Sequence, residues 1–215
     1  MAIKKPRCLD LFCKQGGASK GLTDAGFDVT GVDIEPQPLY PYDFLQGDAL
    51  TVALDGYSFY WASPPCQAFS TLKGLCSHKY PDLIDIIRAR LIRIGKPFVI
   101  ENVPGAPLIN PLVLCGTMFG LKVKRHRLFE CWPAIYPLLP PHGCRGKAGF
   151  TNGHRGISSF KHGARLLCVV GHNFHINEAR EAMGIDWMDR EGLNQAIPPA
   201  MAEFIGRSMM EHIEK

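Results

Sequence analysis

Hydrophobic residues along this chain fall into short uninterrupted runs and into longer stretches with helical spacing. The first run, residues 7–12, is followed by a glycine turn and then by residues 18–27, whose apolar positions recur at helical spacing. Further apolar runs occupy residues 28–34 and 57–63. Buried strands produce such runs, and amphipathic helices produce such spacing. The pattern predicts strands that alternate with helices, as in a β–α–β unit.

The same pattern continues along the chain and predicts one sheet with helices on both faces. Asp82 can cap a helix over residues 82–94, and Gly95 can end it. The other predicted elements are strands at 44–48, 97–102, 112–121 and 127–132 and helices at 176–184 and 198–213. Alternating polar positions in 112–121 and 127–132 indicate an antiparallel pair. We therefore predict an α/β fold with an open, mostly parallel, doubly wound sheet of the Rossmann-like type.

Polar or small residues directly follow several predicted strands. They are Gly16, Gly17, Asp33, Asp48, Cys66 and Glu101. The carboxyl ends of parallel strands meet at one edge of a sheet, so we expect these residues to line that edge. A carboxylate at Asp33 can hold the two hydroxyls of a ribose. The chain has no GxxxxGK[ST] phosphate loop, which favours a nucleoside cofactor over a triphosphate.

Cys66 lies at this edge behind Pro64 and Pro65, which fix the backbone. A catalytic thiol needs a rigid, partly exposed position and neighbours that favour the thiolate. This position argues against a redox role for Cys66, but it leaves open whether Cys66 packs in the core or acts as a nucleophile. Glu101, a carboxylate in an apolar run, needs a partner or a raised pKa. Taken alone, it is better explained as a cap on local backbone amides.

Composition limits the class of protein further. The 215 residues are 46% hydrophobic, which suits a single globular unit, and eight cysteines without a CxxC pair do not indicate a disulfide framework. We find no signal peptide and no membrane-spanning run, and we expect a soluble, cytoplasmic monomer. The net charge is only +4, but residues 131–177 contain no Asp or Glu. That stretch is basic and rich in histidine, which suits contacts with nucleic-acid phosphates.

Five sequence blocks together resemble the cytosine-C5 DNA methyltransferases. They are "DLFCKQGGASKGLTDAGF", "ASPPCQAFS", "ENVPG", "KRHRLFE" and "GLNQAIPPAMAEFIG". The resemblance covers residues 7–131 and 177–210 and implies a Rossmann-like S-adenosylmethionine-dependent methyltransferase. It implies DNA methylation of the kind found in restriction-modification systems, and the compact size favours a phage or a small prokaryotic element.

The resemblance implies a role for each matched residue. Cys66 would attack C6 of cytosine, Glu101 would hydrogen-bond the ring, and Arg125 and Arg127 would contact the base and stabilise the thiolate. The residues implied for S-adenosyl-L-methionine are Phe12, Gln15, Gly16, Gly17, Asp33, Ile34, Asp48, Ala49, Pro65 and Asn194. Those implied for duplex DNA are Ser70, Lys73, Asn102, Arg145, Lys147, Arg155 and Lys161. Because the base is stacked in a duplex, the enzyme would flip it out, and residues 70–82 would form the closing loop.

This chain departs from the family pattern at two places. Lys14 occupies a turn position that is usually glycine, so either the turn accepts Lys14 in an ordinary conformation or cofactor affinity is reduced. Recognition is left to residues 132–176, between a catalytic core at 1–131 and a returning segment at 177–215. We therefore expect a short or relaxed DNA target.

No metal site is predicted. Zinc ligands could be chosen from His142, Cys144, Cys168, His172 and His175, but their spacing fits no common zinc pattern.

Two other functions remain open at this stage. A relative acting on tRNA or another RNA cytosine could share the catalytic blocks and differ in its substrate surface. A catalytically silent nucleic-acid-binding module is a further alternative, against which the presence of Cys66, Glu101 and Arg127 argues.

Overall fold

The computed structural model describes residues 4–66, 82–144, 148–149, 166–171 and 174–213. Its strands are β1 (Arg7–Leu11), β2 (Asp28–Asp33), β3 (Asp43–Gln46), β4 (Phe59–Ala62), β5 (Phe98–Asn102), β6 (Leu112–Cys115), β7 (His126–Trp132), β8 (Ala148–Gly149) and β9 (Leu166–Leu167). Its α-helices are α1 (Gly17–Asp24), α2 (Ile84–Ile94), α3 (Ile176–Met183), α4 (Arg190–Gln195) and α5 (Pro199–Ile213).

Seven of the described strands form one sheet in the order β3-β2-β1-β4-β5-β7-β6. Strands β1 to β5 pair in parallel, whereas β7 runs antiparallel to both β5 and β6. The predicted α/β class, the parallel core of the sheet and the antiparallel pair are confirmed. The strand predicted over 112–121 is too long, because β6 ends at Cys115 and Gly116–Phe119 form a 3-10 helix. Strand order reverses between β1 and β4, and ligands in open α/β sheets bind at such a switch point.

Strand β4 shows why the sheet carries apolar layers on both faces. Its residues are buried without exception, and successive side chains point to opposite sides. Phe59 and Trp61 pack in the core formed with α1 and α5, whereas Tyr60 and Ala62 pack in the core formed with α2. A third apolar cluster lies around α3 and includes Val123, below the end of the sheet.

Helix boundaries follow local capping chemistry. Asp82 Oδ1 accepts a hydrogen bond from the Ile84 amide at 3.1 Å, and α2 ends at Gly95 with a left-handed φ of 66°. The predicted end at Gly95 is confirmed, whereas the N-cap residue is Leu83 and Asp82 lies one position before it. Helix α4 was missed, because Gly192 and Asn194 weaken its helical pattern. It is capped by Asp189, whose side chain accepts from the Gly192 amide at 2.8 Å.

Helices α1 and α5 pack closely through glycine. A Cβ atom on Gly21 would lie 2.1 Å from the Pro199 carbonyl oxygen and 2.6 Å from the Glu203 nitrogen. A Cβ atom on Gly206 would lie 2.9 Å from the Ala25 Cβ. This contact joins the last helix to the first β–α unit. In the described part of the chain, no helix combines the length and apolarity needed to cross a membrane.

We expect Gly21→Ala to lower the free energy of unfolding by about 1–3 kcal/mol, because the added methyl group would press on the backbone of α5. Helix propensity alone would instead raise the free energy of unfolding, since Ala is favoured over Gly by about 1 kcal/mol. Urea unfolding measures the difference. Gly47→Ala is the matched control, since its Cβ would meet no atom within 4 Å. Equal stability of the two variants would contradict the close helix contact.

Candidate active site

The predicted edge of the sheet brings the catalytic candidates to neighbouring strand ends. Strand β5 ends with Glu101 and Asn102, which pair with Phe129 and Leu128 of β7. Because β7 is antiparallel, its first residues lie at the same edge as the last residues of β5. Arg127 is thereby placed beside Glu101, although the two are far apart in sequence.

Glu101 and Arg127 form a buried ion pair. Arg127 Nε lies 2.9 Å from Glu101 Oε1, but their geometry is not that of a hydrogen bond, and none of the described residues donates a hydrogen bond to this buried oxygen. Burial raises the pKa of Glu101 against the lowering effects of Arg127, the Ser63 hydroxyl and Arg125. The carboxyl group is therefore more readily protonated than an exposed glutamate.

Cys66 lies next to these charges and is half-buried. Burial raises the pKa of the Cys66 thiol, Arg127 and Arg125 lower it, and Glu101 raises it. The backbone before the thiol is anchored by Asn102, whose Nδ2 donates to the Pro64 carbonyl at 2.9 Å. Asn102, expected to bind substrate, thus lies where it positions the Cys66 segment.

Arg125 occupies a different environment from Arg127. It lies just before β7, is buried, and donates to the carbonyl oxygens of Val169 and Asn194, both at 2.6 Å. Burial lowers its pKa, and the positive charge of Arg127 lowers it further. Its hydrogen bonds connect the start of β7 to residues 166–171 and to α4. Contact of Arg125 with a base therefore stays a prediction, whereas its connecting role is seen directly.

The glycine turn after β1 contains three residues with left-handed backbone, namely Phe12 with φ 64°, Lys14 with φ 45° and Gly16 with φ 85°. The first of the two alternatives for Lys14, an ordinary conformation, is therefore wrong. Left-handed backbone costs an L-residue about 1–2 kcal/mol. Gly17, which begins α1, must have no side chain for a packing reason, since a Cβ there would lie 2.5 Å from the Ile197 carbonyl oxygen.

Asp33 is the best placed cofactor candidate. It is buried at the end of β2 and accepts from the backbone amides of Lys14 at 3.1 Å and Glu35 at 3.2 Å. Lys14 Nζ lies 3.7 Å from Asp33 Oδ1 and 2.9 Å from Glu35 Oε2. The neighbouring Ile34 is 66% exposed. An acceptor beside an exposed apolar side chain fits the ribose and base of a nucleoside.

Three of the other cofactor candidates make side-chain hydrogen bonds in the described part of the chain. Asp48 Oδ1 accepts from the Leu50 amide at 2.8 Å, Ala49 is buried behind it, and Pro65 adjoins the thiol. Gln15 contacts the start of α4, because its Nε2 donates to Asp189 Oδ1 at 2.9 Å. Asn194 Oδ1 accepts from the Gly171 amide at 2.7 Å.

Six of the substrate candidates lie outside the described residues. They are Ser70, Lys73, Arg145, Lys147, Arg155 and Lys161.

A hydrogen-bonded chain under the glycine turn was missed by sequence reasoning. Tyr40 donates to Ser19 at 2.8 Å, and Ser19 donates to Asp10 at 2.5 Å. Burial raises the pKa of Asp10 to about 7, and its Oδ1 has no hydrogen-bond partner. The sequence feature that could have indicated this chain is Asp10, an aspartate inside the apolar run of β1. Ser63, which interacts with Glu101, was noted only as a polar neighbour of Cys66.

Comparison with known proteins identifies the fold. No family model matches the chain, and no curated protein matches its sequence. A solved E. coli prophage structure, assigned as a DNA modification methyltransferase, covers 98% of this chain and 100% of its own, with a TM-score of 0.69 and 15% identity. The S. pombe Dnmt2 methyltransferase covers 97% and 99%, with a TM-score of 0.59 and 13% identity. The Entamoeba histolytica methyltransferase EhMeth covers 99% and 100%, with a TM-score of 0.63 and 12% identity.

These likenesses establish the fold at the level of a class. The chain has a Rossmann-like methyltransferase fold, with a mostly parallel seven-stranded sheet.

The charges around Cys66 predict how its reactivity depends on pH. Because its pKa is raised, alkylation of Cys66 by iodoacetamide should be slow at neutral pH and rise about tenfold per pH unit until the thiol ionises. Arg127→Ala should raise that pKa further and slow alkylation at a fixed pH. Peptide mass spectrometry reports the rate at Cys66 alone.

Arg207→Ala is the control for this measurement, because Arg207 pairs with Glu203 on an exposed face of α5. Its alkylation profile should match that of the unmodified chain. An unchanged profile in Arg127→Ala would show that the Arg127 cation does not act on the thiol.

Proposed function

We propose that this chain is a DNA cytosine-C5 methyltransferase that uses Cys66 as its nucleophile. The observation that carries the proposal is the group formed by Cys66, Glu101 and Arg127 at one edge of a methyltransferase fold. In this group Glu101 Oε1 is buried and ion-paired to Arg127 Nε at 2.9 Å, and no donor among the described residues meets that oxygen with hydrogen-bond geometry. A donor group on a bound substrate could supply that hydrogen bond.

The edge of the sheet has a cofactor half, around Asp33, and a catalytic half, which contains Cys66, Glu101 and Arg127. Asp33 and Ile34 at the end of β2 would hold the adenosine part of S-adenosyl-L-methionine, and Phe12 and Pro65 would border its reactive end. This cofactor supplies an electrophilic methyl group. Cys66 follows β4, and β1 pairs with both β2 and β4, so the nucleophile lies next to the cofactor half.

The residues support each step of the reaction on the cytosine. The Cys66 thiolate forms a bond to C6, and the electrons of the 5,6 double bond move into the ring as Glu101 donates a proton to N3. The raised pKa of Glu101 suits this donation. Arg127 stabilises the thiolate and then the carboxylate that Glu101 becomes. Carbon C5 would then take the methyl group, whose bond to the sulfonium sulfur would break, so that S-adenosylhomocysteine would leave. Loss of the C5 proton to water and departure of the Cys66 thiolate would restore the 5,6 double bond, and N3 would return its proton to Glu101.

The basic segment within residues 132–176 supports a nucleic-acid substrate, and the resemblance of the five sequence blocks to DNA methyltransferases favours DNA over RNA. The cations of this segment stand in a stretch without Asp or Glu, which suits contacts with phosphates. The target base must leave the stack to reach Cys66, as in other enzymes that modify bases.

A labelling experiment tests the proposed function. The chain is incubated with methyl-labelled S-adenosyl-L-methionine and, in parallel, unmethylated duplex DNA of random sequence, tRNA or deoxycytidine nucleotide. We expect label at C5 of cytosine in DNA. Glu101→Gln should slow transfer by about 10²–10⁴-fold, because proton transfer is lost. Cys66→Ser should abolish it, because serine is not ionised at neutral pH.

Cys131→Ser is the matched control, since Cys131 is also half-buried but lies near the end of β7 opposite to Arg127. It should retain transfer. Label in tRNA alone would reassign the substrate to RNA, and label in none of the substrates would refute methyl transfer.

A further inference from the structure

Two cysteines and two histidines meet at the end of the sheet, beyond the catalytic group. One potential ligand atom from each of Cys115, His126, His142 and Cys144 lies within 4.8 Å of the other three. Cys115 ends β6 and is the direct cross-strand partner of His126, which begins β7. His142 and Cys144 come from the segment after β7, which returns to the same edge of the sheet.

The distances are close to those of a tetrahedral metal site. His126 Nε2 lies 3.4 Å from His142 Nε2, and the two rings are nearly perpendicular, at 87°. Zinc–nitrogen bonds of about 2.0–2.1 Å at tetrahedral angles place two ligand nitrogens about 3.4 Å apart. The histidine pair therefore already has the spacing that a shared ion requires.

Cys115 is held in position by its own turn. The Thr117 hydroxyl donates to Cys115 Sγ at 3.4 Å, and the Met118 amide also donates to that sulfur. Hydrogen bonds to a cysteine sulfur orient it and stabilise its thiolate form, which is the form that binds metals. This sulfur is buried, whereas Cys144 is half-buried and His142 is exposed.

The chemistry of the four ligands indicates which metal would bind. Two thiolates and two imidazoles in tetrahedral arrangement are typical of zinc, and four protein ligands leave no position open for water. Sequence spacing did not indicate this site: it offered His142 and Cys144 together with other partners, whereas the fold brings them to Cys115 and His126.

We propose that this chain binds one structural zinc ion through Cys115, His126, His142 and Cys144. The ion would attach the segment that follows β7 to the end of the sheet. Since Cys144 lies within the basic segment, the ion would also hold that segment to the sheet at one point. It would also hold His126, which lies between Arg125 and Arg127, so the zinc site and the catalytic group would share one strand.

Metal analysis of the purified chain tests the proposal without relying on activity. Protein purified under reducing conditions and supplied with zinc, then freed of unbound metal, should retain about one zinc ion per chain. Replacement by cobalt(II) should give the visible bands of a tetrahedral site and a thiolate-to-cobalt charge-transfer band. A strong chelator should lower the melting temperature, because a bound ion stabilises the folded state.

Two variants and a control assign the ligands. Cys144→Ser and His142→Asn should each lose zinc during removal of unbound metal, and their melting temperatures should no longer respond to the chelator. Cys168→Ser should behave as the unmodified chain, because Cys168 is not in the cluster. Absence of stoichiometric zinc in the unmodified chain, a cobalt spectrum without thiolate bands, or full zinc retention in both variants would overturn the proposal.

Discussion

The candidate site depends on the pairing of β7 with β5 in antiparallel register. This pairing places Arg127 beside Glu101 and keeps a charged carboxyl group buried at the end of a strand. A buried charge without a partner would be strongly destabilising, so the ion pair is what makes Glu101 tolerable at this position. Within the described part of the chain no donor makes a hydrogen bond to Oε1, so under the proposed function a substrate donor would bind this oxygen.

Packing against the C-terminal segment constrains the cofactor half of the edge. Gly17 must be small because the backbone at Ile197 passes close to it, and Gln15 is engaged by the start of α4. The turn between β1 and α1 is therefore shaped by the C-terminal segment. Lys14 adds a cation near Asp33, which would compete with a ribose for the same carboxylate.

Periodicity predicted the strands, helices and shared edge, because buried strands and amphipathic helices leave strong patterns. The edge rule then placed Asp33, Cys66 and Glu101 correctly at strand ends. Tertiary contacts could not be predicted from the sequence pattern. Arg125 and Arg127 are two residues apart, yet Arg125 binds carbonyl oxygens and Arg127 pairs with Glu101. The cluster of Cys115, His126, His142 and Cys144 was hidden for the same reason, because strand pairing creates it.

The proposed function depends on a covalent bond between Cys66 and C6 of cytosine. Mass spectrometry detects this bond directly after the chain is incubated with S-adenosyl-L-methionine and duplex DNA containing 5-fluorocytosine, in which the fluorine blocks elimination. We expect a stable protein–DNA adduct that maps to the peptide containing Cys66 and is absent in Cys66→Ser. Methylation of ordinary cytosine without any such adduct, or an adduct on another cysteine, would refute attack by Cys66.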